Sequence, residues 1–260
     1  MNLRLISAAA AACLLLPTLA VAADDSQLML GGGVAAGARY SGSKQNTVAP
    51  VILIDYSHAS GFFASTLRGI GYGGEGGPLT YSAALGYRGD RKEKNEKGLF
   101  GNTGSADLKG MGDIKGSANA MLSLGYKPIP LLEFNVSADI PLSQRENGKT
   151  FHTGITAHLL DAPKDQISLG VGAGFADSKY AQTYYGVTAK QASTSKFKAY
   201  QPKSGLYEAN VMLTWQHKLD QKWGITTMVG ATHLLREASR SPLTERKTSP
   251  TAAVYASYAY

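Results

Sequence analysis

The side chains of this 260-residue sequence that could do chemistry are few and scattered. There are five histidines: His58, His152, His158, His217 and His233. His152 and His158 fall on one face of an extended segment. They are six residues apart, roughly 20 Å at ~3.3 Å per residue, too far to share a metal. No His-Glu-x-x-His, phosphate-binding loop or paired-carboxylate pattern occurs. A serine–histidine lipase pair in a membrane wall is conceivable, but no triad spacing supports it. The one cysteine, Cys13, lies in an apolar leader, so the remaining chain has no thiol nucleophile, thiolate ligand or disulfide. No catalytic residue, cofactor or metal site is expected, and the chain reads as a non-enzyme.

Two groups of polar residues remain. Asp177, Tyr180, Tyr184 and Gly186 have the spacing of a short helix. Asp177 would cap its N-terminus, the tyrosines at i and i+4 would share a face, and Gly186 would end it with positive φ. That arrangement is either structural or an aromatic platform for a sugar or a protein. Arg39, Arg88, Glu133, Asp139 and Glu208 sit at positions facing away from an apolar face. They form either an ion-paired plug or the lining of a narrow selective pore.

The elements that would position these groups are strands. Leu132, Phe134, Val136, Ala138 and Ile140 alternate with Glu133, Asn135, Ser137 and Asp139. The same period of two runs through 79–88, 166–175, 207–216 and 223–232. Each run is about ten residues, enough to cross a bilayer when tilted. Tyr87, Tyr126, Phe151, Phe175, Tyr207, Trp215 and Trp223 stand near the ends of apolar faces, where an aromatic girdle would lie. A soluble sandwich also alternates, but its second face would not accept so many charged and amide side chains in a dry core. The fold expected is all-β: an antiparallel transmembrane β-barrel.

Eleven strands are legible: 28–39, 47–56, 61–73, 79–90, 115–127, 131–142, 149–160, 165–176, 205–218, 222–235 and 250–260. Single-chain bacterial barrels have even strand numbers. A twelfth is therefore expected between Gly98 and Gly110, with ten strands as the alternative. Twelve puts both termini on one side, the periplasm, with short turns there and 177–204 and 236–249 outside. Residues 1–22 read as a cleaved signal peptide: Arg4, the apolar run Leu5 to Leu16, then Ala20-Val21-Ala22. Residues 23–260 are then one barrel domain in the outer membrane of a Gram-negative cell. Val254, Ala256, Tyr258 and Tyr260 share a face and end on an aromatic, like the signal read by barrel-assembly machinery.

Charge adds a class of partner. The chain carries 26 Lys+Arg against 19 Asp+Glu, and loss of Arg4 with the leader keeps the excess positive. In this compartment the anionic partners are lipopolysaccharide, outer-membrane lipid or murein rather than nucleic acid.

Several local motifs resemble the MipA/OmpV family, named after the MltA-interacting protein of the outer membrane. Tyr40-Ser41-Gly42-Ser43 with Pro50 resembles its Y-x-G-S…P opening. Leu108 to Ile114, containing Asp113, resembles L-x-G-x-x-D-I. Asp177 to Thr188, then Gln191-Ala192-Ser193, resembles D-x-x-Y-x-x-x-Y-F-G-V-T…Q-A-x-x-S, with Tyr185 in place of Phe. Leu234-Leu235, Ala238 and Ser241-Pro242 resemble L-L-G-D-A-x-x-S-P, with Arg236-Glu237 in place of Gly-Asp. The resemblance implies a scaffold that docks a murein-degrading lytic transglycosylase with a penicillin-binding murein synthase. It also makes Tyr40, Gly42, Ser43, Asp113, Asp177, Tyr180, Tyr184 and Gly186 candidate interaction or loop-motif residues. A periplasmic docking surface would need more than short turns, so either the basic 91–110 stretch is periplasmic or the contacts are weak and multivalent. A surface adhesin acting through the long loops, or a solute pore, is the alternative.

Overall fold

The computed structural model describes residues 26–98, 101–102 and 104–260. The leader expected at 1–22 lies outside the described residues. Twelve antiparallel strands close into a barrel. They are β1 Ser26–Ala38, β2 Asn46–His58, β3 Phe62–Ser65, β4 Gly69–Gly76, β5 Leu79–Arg88, β6 Ser117–Ile129, β7 Leu132–Pro141, β8 Thr150–Asp161, β9 Asp165–Ala176, β10 Gly205–Lys218, β11 Trp223–Leu234 and β12 Thr248–Ala259. Neighbours in sequence are neighbours in the wall, and β1 closes on β12 from Met29↔Ala259 to Ala36↔Ala252. Closure lets the wall satisfy its own backbone, which hydrocarbon requires.

The alternation has its expected meaning. Val34, Leu85, Val136, Val171, Leu213 and Val229 stand exposed on the outside of the wall. Only lipid can cover so continuous an apolar belt, because among the described residues no second layer packs on it. No helix among the described residues is long and apolar enough to cross a membrane. Tyr87, Phe151 and Phe175 rim the belt at the end far from the termini. Tyr81, Tyr126, Trp215 and Trp223 rim it at the near end.

Tyr207 is the exception. The register slips between Gly174 and Phe175, which pair with Glu208 and Leu206 and leave Tyr207 as the extra residue of a bulge. The bulge turns Tyr207 inward beside Glu208, so both are buried. Gly174 makes room, because a Cβ there would press on the Tyr207 ring and the Glu208 stem.

The twelfth strand is not where the sequence suggested. Lys97–Gly98 and Gly101–Asn102 pair only with each other, outside the barrel. The even number comes instead from 61–73, which folds back at Thr66–Arg68 into β3 and β4. That hairpin is short and stops halfway up the wall. β2 pairs with β3 only at Asp55, Tyr56 and Ser57, while the rest of β2 pairs with β1 alone.

Chain direction puts the connections 59–61, 77–78, 130–131, 162–164 and 219–222 at the end bearing the termini. The long ones, 89–116, 177–204 and 235–247, all lie at the far end, with 39–45 and 142–149. The 91–110 stretch is thus at the far end and does not enlarge the near rim. The far-end connections contain α1 Ser178–Tyr185, α2 Ala189–Thr194 and α3 Arg236–Arg240.

Candidate functional site

The far end is a cap with its own interior. Tyr40, Leu108, Met111, Val187, Phe197 and Leu243 come from four different connections and form one buried cluster. Below it, Ala176, Tyr185, Tyr207, Leu234 and Ala238 form a second, with Tyr180 and Tyr184 packed on it. Deeper in the lumen lies a third, Leu53, Met228 and Tyr255, which receives Leu67 from the inturned β3–β4 hairpin. The mouth of the barrel is therefore filled by packed side chains.

α1 is held in the mouth by identifiable bonds. Asp177 Oδ1 accepts from Tyr180 N–H at 2.7 Å and caps the helix. Tyr180 and Tyr184 stack with centroids 4.4 Å apart. Tyr180 also tilts against Tyr207 at 5.3 Å. Burial pushes the Tyr180, Tyr184 and Tyr185 phenols up from their ordinary pKa, so all three are neutral at physiological pH. Gly186 does not end the helix with positive φ; its φ is −82°. It is required for space, since a Cβ would strike the Gln182 side chain and carbonyl.

Arg88 ties this helix to the wall. Its Nη1 donates to the carbonyls of Asn147 and Gly148 at 3.1 and 3.0 Å. Its Nη2 lies 3.2 Å from Asp139 Oδ2, and the guanidinium sits over Tyr180 at 5.2 Å. Asp139 also accepts from Asn119. Glu133 faces His158 at 3.5 Å, and buried Glu208 faces buried His152 at 4.0 Å. Arg39 does not join these lumen pairs. It reaches Asn95 Oδ1 at 2.8 Å in the far-end cap. The structure thus brings Arg88 and Asp139 together and leaves Glu133, Glu208 and Arg39 with separate partners.

The motif residues of the connections make turns and clamps. Ser43 N–H donates to the Tyr40 carbonyl, and the Gly42 carbonyl accepts from Glu245 and Arg246. Gly42 has φ of +94°, which only glycine adopts freely. Asp113 accepts from Lys92 Nζ at 2.9 Å and from Glu93 N–H at 3.0 Å. Burial alone would raise its pKa, but these bonds outweigh it and lower the value.

Arg91 is a residue the sequence hid. In a run of alternating charges it reads as solvated, yet it is buried with no carboxylate partner among the described residues. It donates from Nη1 to the Tyr184 carbonyl at 3.0 Å, steadying the last turn of α1. Among the described residues no group of three or more His, Cys, Asp or Glu could hold a metal.

Residues 30–260 match the family model described as MltA-interacting protein MipA. No curated protein matches. Solved structures similar to the chain at low identity include two outer-membrane proteins. The NanC porin is 11% identical, with 89% of this chain and 98% of that one covered and a TM-score of 0.46. An outer-membrane channel from Pseudomonas putida F1 is 10% identical, with 92% and 97% covered and a TM-score of 0.46.

Proposed function

The chain belongs to the MltA-interacting protein MipA family, and we propose that it is a non-enzymatic, non-conducting anchor in the outer membrane on which a murein-degrading lytic transglycosylase docks, with a penicillin-binding murein synthase beside it. The observation that carries this reading is the family match, which runs through all twelve strands and the cap. Residues 1–22 then act as the export leader, and the C-terminal aromatic face serves the assembly machinery. The near end faces the periplasm. Lys164 and Lys222 in its short turns, with Lys127 and Lys218 at the adjoining strand ends, are exposed around the rim. A stable interface takes roughly 20–30 residues a side, more than such turns offer. Docking is therefore weak, with a dissociation constant of about micromolar or above.

The test is a pull-down of solubilised envelope on immobilised mature chain. A lytic transglycosylase or murein synthase should elute, and should be lost on Lys164→Glu/Lys218→Glu/Lys222→Glu but kept when 188–203 is shortened. Recovery of lipopolysaccharide and assembly proteins alone would sink the docking reading. Steady conductance of the intact chain in planar bilayers would replace it with a pore.

A further inference from the structure

The far-end cap carries a feature that docking at the near rim does not use. An open cleft of about 430 Å³ lies between α1, the start of α2 and the strand-like return at 199–201. It is lined by Gln182, Val187, Thr188, Ala189, Ala199, Tyr200 and Gln201. Its floor is fixed, because Val187 and Tyr200 exchange backbone bonds of 2.8 Å in both directions. The Tyr200 hydroxyl donates to the Glu237 carbonyl at 2.9 Å and shares its proton with Glu237 Oε2 at 2.8 Å, so the ring is pinned from behind. The side-chain amides of Gln182 and Gln201 have no hydrogen-bond partner among the described residues.

A fixed aromatic ring beside small apolar side chains, with free amides at the edge, matches a sugar, which has an apolar C–H face and a hydroxyl-bearing rim. The charge around the cleft narrows the class. Residues 177–204 carry five lysines and one acid, and that acid, Asp177, is committed to capping α1. Lys190 and Lys198 adjoin the lining residues Ala189 and Ala199 and are exposed, with no acid within 4.0 Å among the described residues. Among the described residues the acid facing Lys196 is Glu245, at 3.9 Å. The opposing carboxylate, Glu237, is occupied by Tyr200 and by Arg240 at 3.4 Å.

We propose that this cleft binds an acidic saccharide, a sugar bearing a carboxylate or a phosphate. Its source is either a glycolipid of the same leaflet or a soluble glycan outside the cell. The experiment is an NMR titration of the full mature chain in detergent with a glucuronate-terminated trisaccharide and its neutral glucose-terminated counterpart. A parallel sedimentation assay uses vesicles carrying a phosphorylated glycolipid. The acidic probe should shift resonances around Tyr200. Tyr200→Ala should weaken binding about tenfold, the loss of one stacked ring, while Tyr200→Phe, which keeps the ring but loses its bonds to Glu237, should weaken it less. Lys190→Gln/Lys198→Gln should reduce the preference for the acidic probe, by up to about fivefold per exposed charge. Response to the soluble probe assigns a free glycan, and response to the vesicles alone assigns the lipid-borne sugar. Silence in both, equal binding of neutral and acidic probes, or indifference to Tyr200→Ala in a chain that still folds by its heat-modifiable gel shift overturns the proposal.

Discussion

Arg88→Met should release α1 from the mouth of the barrel without melting the wall. The guanidinium gives two bonds to the carbonyls of Asn147 and Gly148, lies 3.2 Å from Asp139 and covers the Tyr180 ring. Its side chain and that of Asp139 are 15% and 27% exposed, so solvent screens the pair little. Removing one member of a buried pair costs about 3–5 kcal/mol. The lower end applies here. Nη2 is near Asp139 but not aligned for a hydrogen bond, and Asp139 keeps Asn119. About 3 kcal/mol of local stability corresponds to roughly a hundredfold change in an opening equilibrium. Amide hydrogen exchange reads this directly. Protected amides of α1 and of 145–148 should exchange about a hundredfold faster, while those of β8, β9 and β10 hold. Arg88→Lys should be intermediate, since an ammonium keeps the charge but cannot span both carbonyls. Unchanged exchange in α1 would refute the latch, and equal acceleration in the strands would make Arg88 a general wall residue.

Val229→Arg, at the middle of β11 on the lipid face, should cost about 2–4 kcal/mol in urea-dependent folding into vesicles. An effect near zero there would mean the exposed apolar belt does not meet hydrocarbon. Asp113 provides a pH signature. Its folded pKa lies below the unfolded value of about 3.9. Its contribution is thus complete above that value and is lost as pH falls through the depressed folded value. The Glu93 amide should lose protection in that window, and Asp113→Asn should abolish the pH dependence. The Asp113 side chain is 42% exposed, so after screening the effect on stability should stay below about 1 kcal/mol.

The strands were legible because lipid imposes a period of two on one face and leaves the other free to be polar. The strands expected at 131–142, 165–176, 205–218 and 222–235, around Val136, Val171, Leu213 and Val229, lie within one residue of their observed bounds. The β3–β4 hairpin was hidden because its turn, Thr66-Leu67-Arg68, lacks the usual glycine–asparagine chemistry and carries an apolar side chain bound for the lumen. Tyr207 was misplaced because the bulge is set by packing at Gly174, which no local pattern announces. Arg91 looked solvated because burial in the cap depends on connections far apart in sequence. The Asp177 cap and the Tyr180–Tyr184 stack were legible for the opposite reason: their partners are three and four residues away. Gln182 and Gln201 carry no pattern that would place them on one cleft.

The short hairpin also decides how the far end must work. Thr66 bonds the backbone of Ile52 and Ile54, so these residues turn their polar groups toward the side where β3 stops. By the alternation of a strand, Val48 and Pro50 turn the same way, onto an edge that no barrel strand covers. An unpaired donor there would cost several kcal/mol in hydrocarbon. Pro50 has no donor to leave unpaired, and Gly101–Asn102 lies against β2. The same 89–116 connection holds Arg39 through Asn95, α2 through Met111 and α1 through Arg91. It is therefore wall and cap at once. The far end behaves as one packed unit rather than a set of independent loops, which is what a fixed cleft requires. The near rim has only tight turns, so a partner docking there would be held weakly and would have to meet several of them together.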